Sequence, residues 1–246
     1  MNQNLEKIAI IGGTGMTALH DLQILHRQAV YTPYGEPSGP LVFGRIHERE
    51  ICFIPRHGHG HHIPPHLVNY RANIWALHQA DIKNVIAVNA VGGIAKNTPP
   101  GRIVIPNQII DYSYNREQTF SDGKHQPVEH IDFTNPYTES LRQDLIAAAY
   151  TSMLEIVEHG VYASTQGPRL ETAAEINRLE KEGCTIVGMT GMPETALARE
   201  AGLNYASCCF VVNWAAGRGE KDIHADIERY LHEGMQSVRT ILEAML

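Results

Sequence analysis

Arg56 and His57 follow the short apolar run Ile51–Ile54 and open a turn rich in Gly58, Gly60, Pro64 and Pro65. A planar guanidinium makes bidentate charge-assisted bonds, and the amides of a glycine-rich turn add further donors, so this pair suits a dianion such as phosphate. Comparable endings recur along the chain. Lys7–Ile11 runs into Gly12-Gly13-Thr14-Gly15, where Thr14 adds a hydroxyl to outward-facing amides. Asn89 and Ala90 stand late in the run 84–91, Leu170 and Glu171 follow the strand begun at Gly160, Met189 and Thr190 close 185–190, and Asn213 closes 205–213. Coincidence explains that recurrence poorly. Open α/β sheets bind ligands beyond the carboxyl ends of their strands, and polar groups gathered there can receive one small polar molecule.

Two other chemistries match short stretches and fail on context. Gly13-x-Gly15-x-x-Ala18 fits a dinucleotide fingerprint, but residues 16–34 leave room for no more than a short helix over Thr17–Leu22 before β-type residues and Pro33. The alternation His57-Gly-His59-Gly-His61-His62 is similar to metallo-hydrolase ligand runs, but that pattern expects an aspartate where His61 stands, and no acidic residue or cysteine elsewhere has convincing ligand spacing. No metal site is expected. The remaining histidines of this loop read as solvated turn residues.

The elements that must carry these residues alternate in type. Near-continuous apolar runs at 7–11, 51–54, 84–91, 185–190 and 205–213 read as strands buried on both faces. Leu41–Arg45 and Glu50–Ile54 read as neighbours joined through His47-Glu48, and Ile103–Ile110 as a strand pair or one bent strand. Helical spacing marks the segment beyond Pro65, Leu141–Met153, Glu171–Glu182 with Thr172 and Glu175 as a capping pair, a helix opened by Pro193-Glu194, and an amphipathic tail from Asp222 with Ile223, Ile227, Leu231, Met235, Val238 and Leu242 on one stripe. The result is an α/β fold, a sandwich on a mixed, mostly parallel sheet. Residues 111–136 are polar and aperiodic, a length that compact domains keep for function or for a partner. Asn89 inside a buried strand needs a partner, either backbone or ligand.

Composition narrows the field. A net charge of −7 opposes nucleic acid or an anionic membrane surface as the main partner. Cys52, Cys184, Cys208 and Cys209 lack CxxC spacing and read as reduced thiols of a cytoplasmic protein. No apolar run approaches the ~20 residues of a membrane helix. With no linker in 246 residues, a single domain spanning 1–246 is expected.

Over nearly its whole length the chain resembles the trimeric purine nucleoside phosphorylase and methylthioadenosine phosphorylase family. Pro55-Arg-His-Gly, Val68-Asn-Tyr-Arg-Ala-Asn-Ile-Trp-Ala-Leu77, Gly167-Pro-Arg-Leu-Glu-Thr172 and Met189-Thr-Gly-Met-Pro-Glu194 carry the likeness. It implies a three-layer α/β/α sandwich, a homotrimer, and reversible phosphorolysis: phosphate displaces a purine from C1′ of a ribonucleoside, without metal or organic cofactor. On matching positions Thr14, Arg56, His57, Asn89, Ala90 and Thr190 would hold phosphate and Met189 would lie against the ribose. Leu170, Glu171, Asn213 and Ala215 would line the base. His61 and His130 would stand near the 5′ end, the latter on a loop that in relatives reaches a neighbouring subunit.

The base pocket departs from the family's adenine-specific branch, which carries two aspartates where this chain has Asn213-Trp214-Ala215. An ionised Asp only accepts hydrogen bonds, whereas an Asn amide donates to a 6-oxo group and still accepts from N7–H. Glu171 matches a glutamate that accepts from N1–H in the 6-oxopurine enzymes; read from sequence alone it also fits a helix-start carboxylate answering the dipole. The expected substrate is a 6-oxopurine nucleoside, S-methyl-5′-thioinosine foremost, with inosine, guanosine and methylthioadenosine as alternatives. A hydrolytic nucleosidase or a purine sensor on the same scaffold are the rival classes, and dependence of turnover on phosphate separates them.

Overall fold

The computed structural model describes residues 7–13, 22–46, 49–121, 123, 127–219 and 223–246. Thr14, most of the Thr17–Leu22 segment, His47-Glu48 and Asp222 lie outside the described residues. Among the described residues eleven strands form one mixed sheet in the order β2-β3-β4-β1-β5-β10-β9-β7, with β11 paired to β5 and to β6, and β8 (Ile156–Val157) paired to β6. The central members are β1 (Ile8–Gly12), β4 (Arg49–Pro55), β5 (Asn84–Gly93) and β11 (Asn204–Trp214). They run parallel to one another. β3 (Leu41–Ile46) extends the edge antiparallel to β4, and β2 (Gln23–Gln28) follows antiparallel to β3. Ile103–Ile110 is not a strand pair: β6 (Ile103–Val104) and β7 (Gln108–Asp111) break at Pro106 and join different neighbours, β11 and β9.

Period-two alternation explains the layering. Ile8 and Ile10 face one core with Phe53, Ile86 and Val88, while Ala9 and Ile11 face another with Ile54, Val85 and Ala87. Helices α2 (Glu139–Thr151) and α5 (Ile223–Met245) cover the first face, and α1 (Tyr70–Gln79) and α4 (Gly191–Glu200) cover the second. A smaller cluster holds α3 (Ala173–Lys181) against β9 (Val161–Ser164) and β10 (Ile186–Gly188). α3 starts two residues later than its periodicity suggested, because Thr172 is its N-cap and both halves of the capping box with Glu175 are formed.

One topological detail creates the site. β1 pairs with β5 only as far as Ile11↔Ala87, and on β5 the partner β10 begins only at Gly92↔Val187. Between these limits β5 has no ladder partner on that side, and Asn89, Ala90 and Val91 front an open cleft. On its other flank β5 meets β11, whose register slips between Val211 and Asn213. A slip of this kind rotates the strand, so Val212 and Asn213, consecutive residues, both face the cavity, which plain alternation forbids.

Candidate active site

A cavity of about 440 Å³ occupies this cleft. Arg56, His57, His61, Asn89, Ala90, Met189 and Thr190 line it from the ends of β4, β5 and β10 and the turns that follow them, Leu170 and Glu171 from the segment after β9, and Asn213 and Ala215 from the end of β11. Ile223, Ile227 and Leu231, one face of α5, close it. Thirteen residues were expected at the site; His130 is exposed and does not line the cavity, and Thr14 lies outside the described residues.

Arg56 is held more tightly than a surface arginine at a loop. It is fully buried; Nε and Nη2 donate to the two Glu194 carboxylate oxygens at 2.6 and 2.7 Å, and Nη1 donates to Val88 O at 3.0 Å, the first carbonyl past the end of the β1 ladder. Tyr205 Oη also donates to Glu194, at 2.8 Å. Burial alone would lower the guanidinium's pKa, but the Glu194 carboxylate outweighs it and the pKa is raised. The second N–H of each terminal nitrogen is the part left for a ligand. Gly13 makes this close approach possible: a Cβ there would lie 2.5 Å from Val88 O and 2.8 Å from Arg56 Nη1.

His57 donates Nδ1–H to Ile63 O at 2.8 Å, since a carbonyl only accepts, so in the neutral ring Nε2 carries the lone pair. Burial, the Arg56 charge and the His61 ring, whose centroid is 4.4 Å away, push its pKa down to about 4, against the Ile63 carbonyl, which pulls the other way. The turn that presents it needs glycine at 58, where φ is +74° and a Cβ would meet the His62 ring at 2.6 Å.

The two partners left open for Asn89 are resolved within the protein. Its amide donates to Ser207 Oγ at 2.6 Å and its Oδ1 accepts from Thr190 Oγ1 at 3.0 Å, so the fold fixes both polar residues before any ligand arrives. Glu171 accepts from Thr165 Oγ1 at 2.6 Å and, half-buried, faces the cavity; it precedes α3 rather than capping it. Asn213 Nδ2 donates to Trp214 O at 2.7 Å and keeps one N–H and its carbonyl. Glu194, Thr165 and Ser207 are functional neighbours that sequence reasoning missed. A glutamate after a helix-opening proline reads as an ordinary first-turn acid, and no sequence signal ties it to Arg56, 138 residues away.

The cavity thus gathers a cation, a neutral imidazole, hydroxyl and amide groups, and a carboxylate in one small volume. Residues 7–246 match the Phosphorylase superfamily. The chain belongs to that superfamily. It is 52% identical over 239 residues, 97% of either chain, to a probable S-methyl-5′-thioinosine phosphorylase from Pseudomonas syringae pv. tomato. It is 40% identical to the 6-oxopurine nucleoside phosphorylase of Pyrococcus furiosus, covering 98% of this chain and 92% of that one. Among solved structures, methylthioadenosine phosphorylase from Schistosoma mansoni in complex with adenine superposes with a TM-score of 0.91 at 33% identity, over 98% of this chain and 90% of that one. The nucleoside phosphorylase fold inferred from the sequence is the fold of this superfamily member.

Proposed function

We propose that the protein catalyses phosphorolysis of a 6-oxopurine ribonucleoside, S-methyl-5′-thioinosine first among them, yielding hypoxanthine and 5-methylthioribose 1-phosphate. One observation carries the reading: a buried arginine with two free N–H groups and a neutral histidine share one cavity with a carboxylate and an amide suited to opposite edges of a 6-oxopurine. Relatives bearing the corresponding names support it.

In this reading Arg56, Thr190, Asn89, Ala90 and Thr14 bind phosphate, and His57 Nε2 accepts from the protonated oxygen of hydrogen phosphate. The nucleophilic phosphate oxygen forms the bond to C1′ as the C1′–N9 bond breaks and its electron pair moves into the purine. Charge builds on the base in the transition state, and Asn213 at N7 and the 6-oxo group, with Glu171 accepting from N1–H, is arranged to meet it. The cleaved bond is balanced by the bond formed to phosphate, so no metal or organic cofactor is required. The apolar wall of Ile223, Ile227 and Leu231 favours a methylthio group over a hydroxyl at the 5′ end.

The chain acts in the cytoplasm as a homotrimer. The exposed segment bearing His130, with Val128 69% exposed, is available to a neighbouring copy and would bring His130 to that copy's 5′ end. Among the described residues no helix is long and apolar enough to cross a membrane. The test is release of base from methylthioinosine, inosine, guanosine and methylthioadenosine, each with and without phosphate, on chelator-treated protein. Phosphate-dependent turnover led by methylthioinosine is the expected result. Turnover without phosphate would make it a hydrolase, and a lead by methylthioadenosine would overturn the roles of Asn213 and Glu171. Sedimentation equilibrium at three chain masses is the companion expectation, and a monomer would remove the role given to His130.

A further inference from the structure

Arg116 lies in the aperiodic segment 111–136 and does not itself line the cavity, yet it reaches the ends of two strands that support it. β9 and β10 pair in parallel up to Ser164↔Gly188, followed by one last bond, Thr165 N–H to Gly188 O at 2.8 Å. Past that point the chains diverge, one toward Glu171 and the other through Met189 and Thr190 into α4. The Arg116 guanidinium sits at the divergence. Nη2 donates to Thr165 O at 3.2 Å and Gln166 O at 2.8 Å, while Nη1 donates to Met189 O at 2.9 Å and Met192 O at 2.5 Å. Nε donates to Gln166 Oε1 at 3.2 Å, and the group lies 5.5 Å from the Tyr70 ring centroid.

The side chain thus acts as an extra rung where the ladder has stopped. Four backbone carbonyls converge on one cation, an arrangement with charge-assisted bonds on both sides and a rigid planar spacer between them. We propose that Arg116 is a positioning residue of the nucleoside half of the cavity: it fixes the separation of the two turns and so the distance between Glu171 on one and Met189 on the other. The assignment rests on the phosphorolysis reading for its consequence, but the stitch itself is a property of the fold. Lysine keeps the charge but, as a single compact ammonium on a flexible stem, cannot span both turns.

The experiment uses the full-length protein with Arg116→Lys and Arg116→Ala. Nucleoside kcat/KM is expected to fall at least 10-fold in both, with the dissociation constant of inorganic phosphate on the free enzyme changed by less than about 3-fold. Guanidinium ion at low millimolar concentration is expected to restore part of the turnover of Arg116→Ala and none of Arg116→Lys, a response that loss of folded protein would not give. Amide exchange is expected to quicken together at 165–171 and 188–192. Equal losses in nucleoside and phosphate binding, or exchange quickened only around residue 116, would overturn the proposal. A wild-type enzyme that turns over nucleoside without phosphate would instead defeat the phosphorolysis reading, and the exchange measurement would still decide the stitch.

Discussion

Replacing Glu194 by Gln asks what the buried ion pair with Arg56 contributes. The substitution is nearly isosteric, but it removes the charge that answers a fully buried guanidinium and weakens the bond from Tyr205. Breaking such a pair from one side costs about 3–5 kcal/mol, because the survivor is left charged in a medium that cannot solvate it. With an unfolding entropy of roughly 2.1 cal/mol/K per residue for this chain length, that corresponds to a fall in Tm of about 6–10 °C. Calorimetry in phosphate-free buffer reads it. Because the variant's Arg56 charge lacks its counterion, added phosphate should raise Tm more in Glu194→Gln than in the wild type. The double variant Arg56→Met/Glu194→Leu removes both charges, so most of the stability should return while phosphate-dependent turnover stays lost. A single variant within 2 °C of wild type, or a double variant less stable than the single one, would refute the reasoning that the pair is held together by mutual need.

Three further outcomes follow from the same geometry. Asn213→Asp should move the ratio of inosine to adenosine turnover toward adenosine by at least about 10²-fold, since a buried carboxylate facing a 6-oxo group is left unpaired; an unchanged ratio in steady-state assays would remove Asn213 from base recognition. Gly13→Ala should raise the KM for phosphate and lower Tm, because the Val88 carbonyl 2.5 Å from the added Cβ is strand backbone and cannot yield without moving Arg56; a wild-type KM would contradict that. His57 carries a pH signature: its folded pKa is near 4 and its ordinary value is 6.5, so below pH 6.5 the unfolded chain takes up a proton that the native site refuses. Stability is therefore expected to be complete above pH 6.5 and to decline by up to about 3 kcal/mol toward pH 4, and urea unfolding of His57→Gln should show a correspondingly shallower decline.

The strands and the chemistry at their ends were legible for a simple reason. Runs such as Ile8–Ile11 and Val85–Val88 are apolar at every position because both faces are covered, and a polar residue that follows such a run has nowhere to go but the rim. What escaped were features set by pairing across the chain. The register slip that turns Asn213 into the cavity leaves no mark on the apolar pattern of β11, since Val211 and Val212 look alike. Glu194 and Arg56 are 138 residues apart, and nothing in either neighbourhood announces that one neutralises the other. Asn89 was recognisable as a polar residue in need of a partner, but Ser207 and Thr190 become its partners only when β5, β11 and the turn after β10 are assembled. Arg116, in a stretch without periodicity, offered no pattern at all.

The long terminal helix divides its labour along its length. Its second half is anchored by Met235, Val238, Ile241 and Leu242, all buried, worth about 1.5–3 kcal/mol each, whereas its first half presents Ile223, Ile227 and Leu231 to the cavity. Anchorage and the cavity wall therefore draw mainly on different turns of one element, although Ile227 and Leu231 also pack against the anchoring core. On the proposed reading, exchanges at Ile223 alter what the 5′ substituent meets at least cost to the core, since Ile227 and Leu231 are shared with it. The first turn of that helix is therefore the natural place to begin redesigning the proposed substrate range.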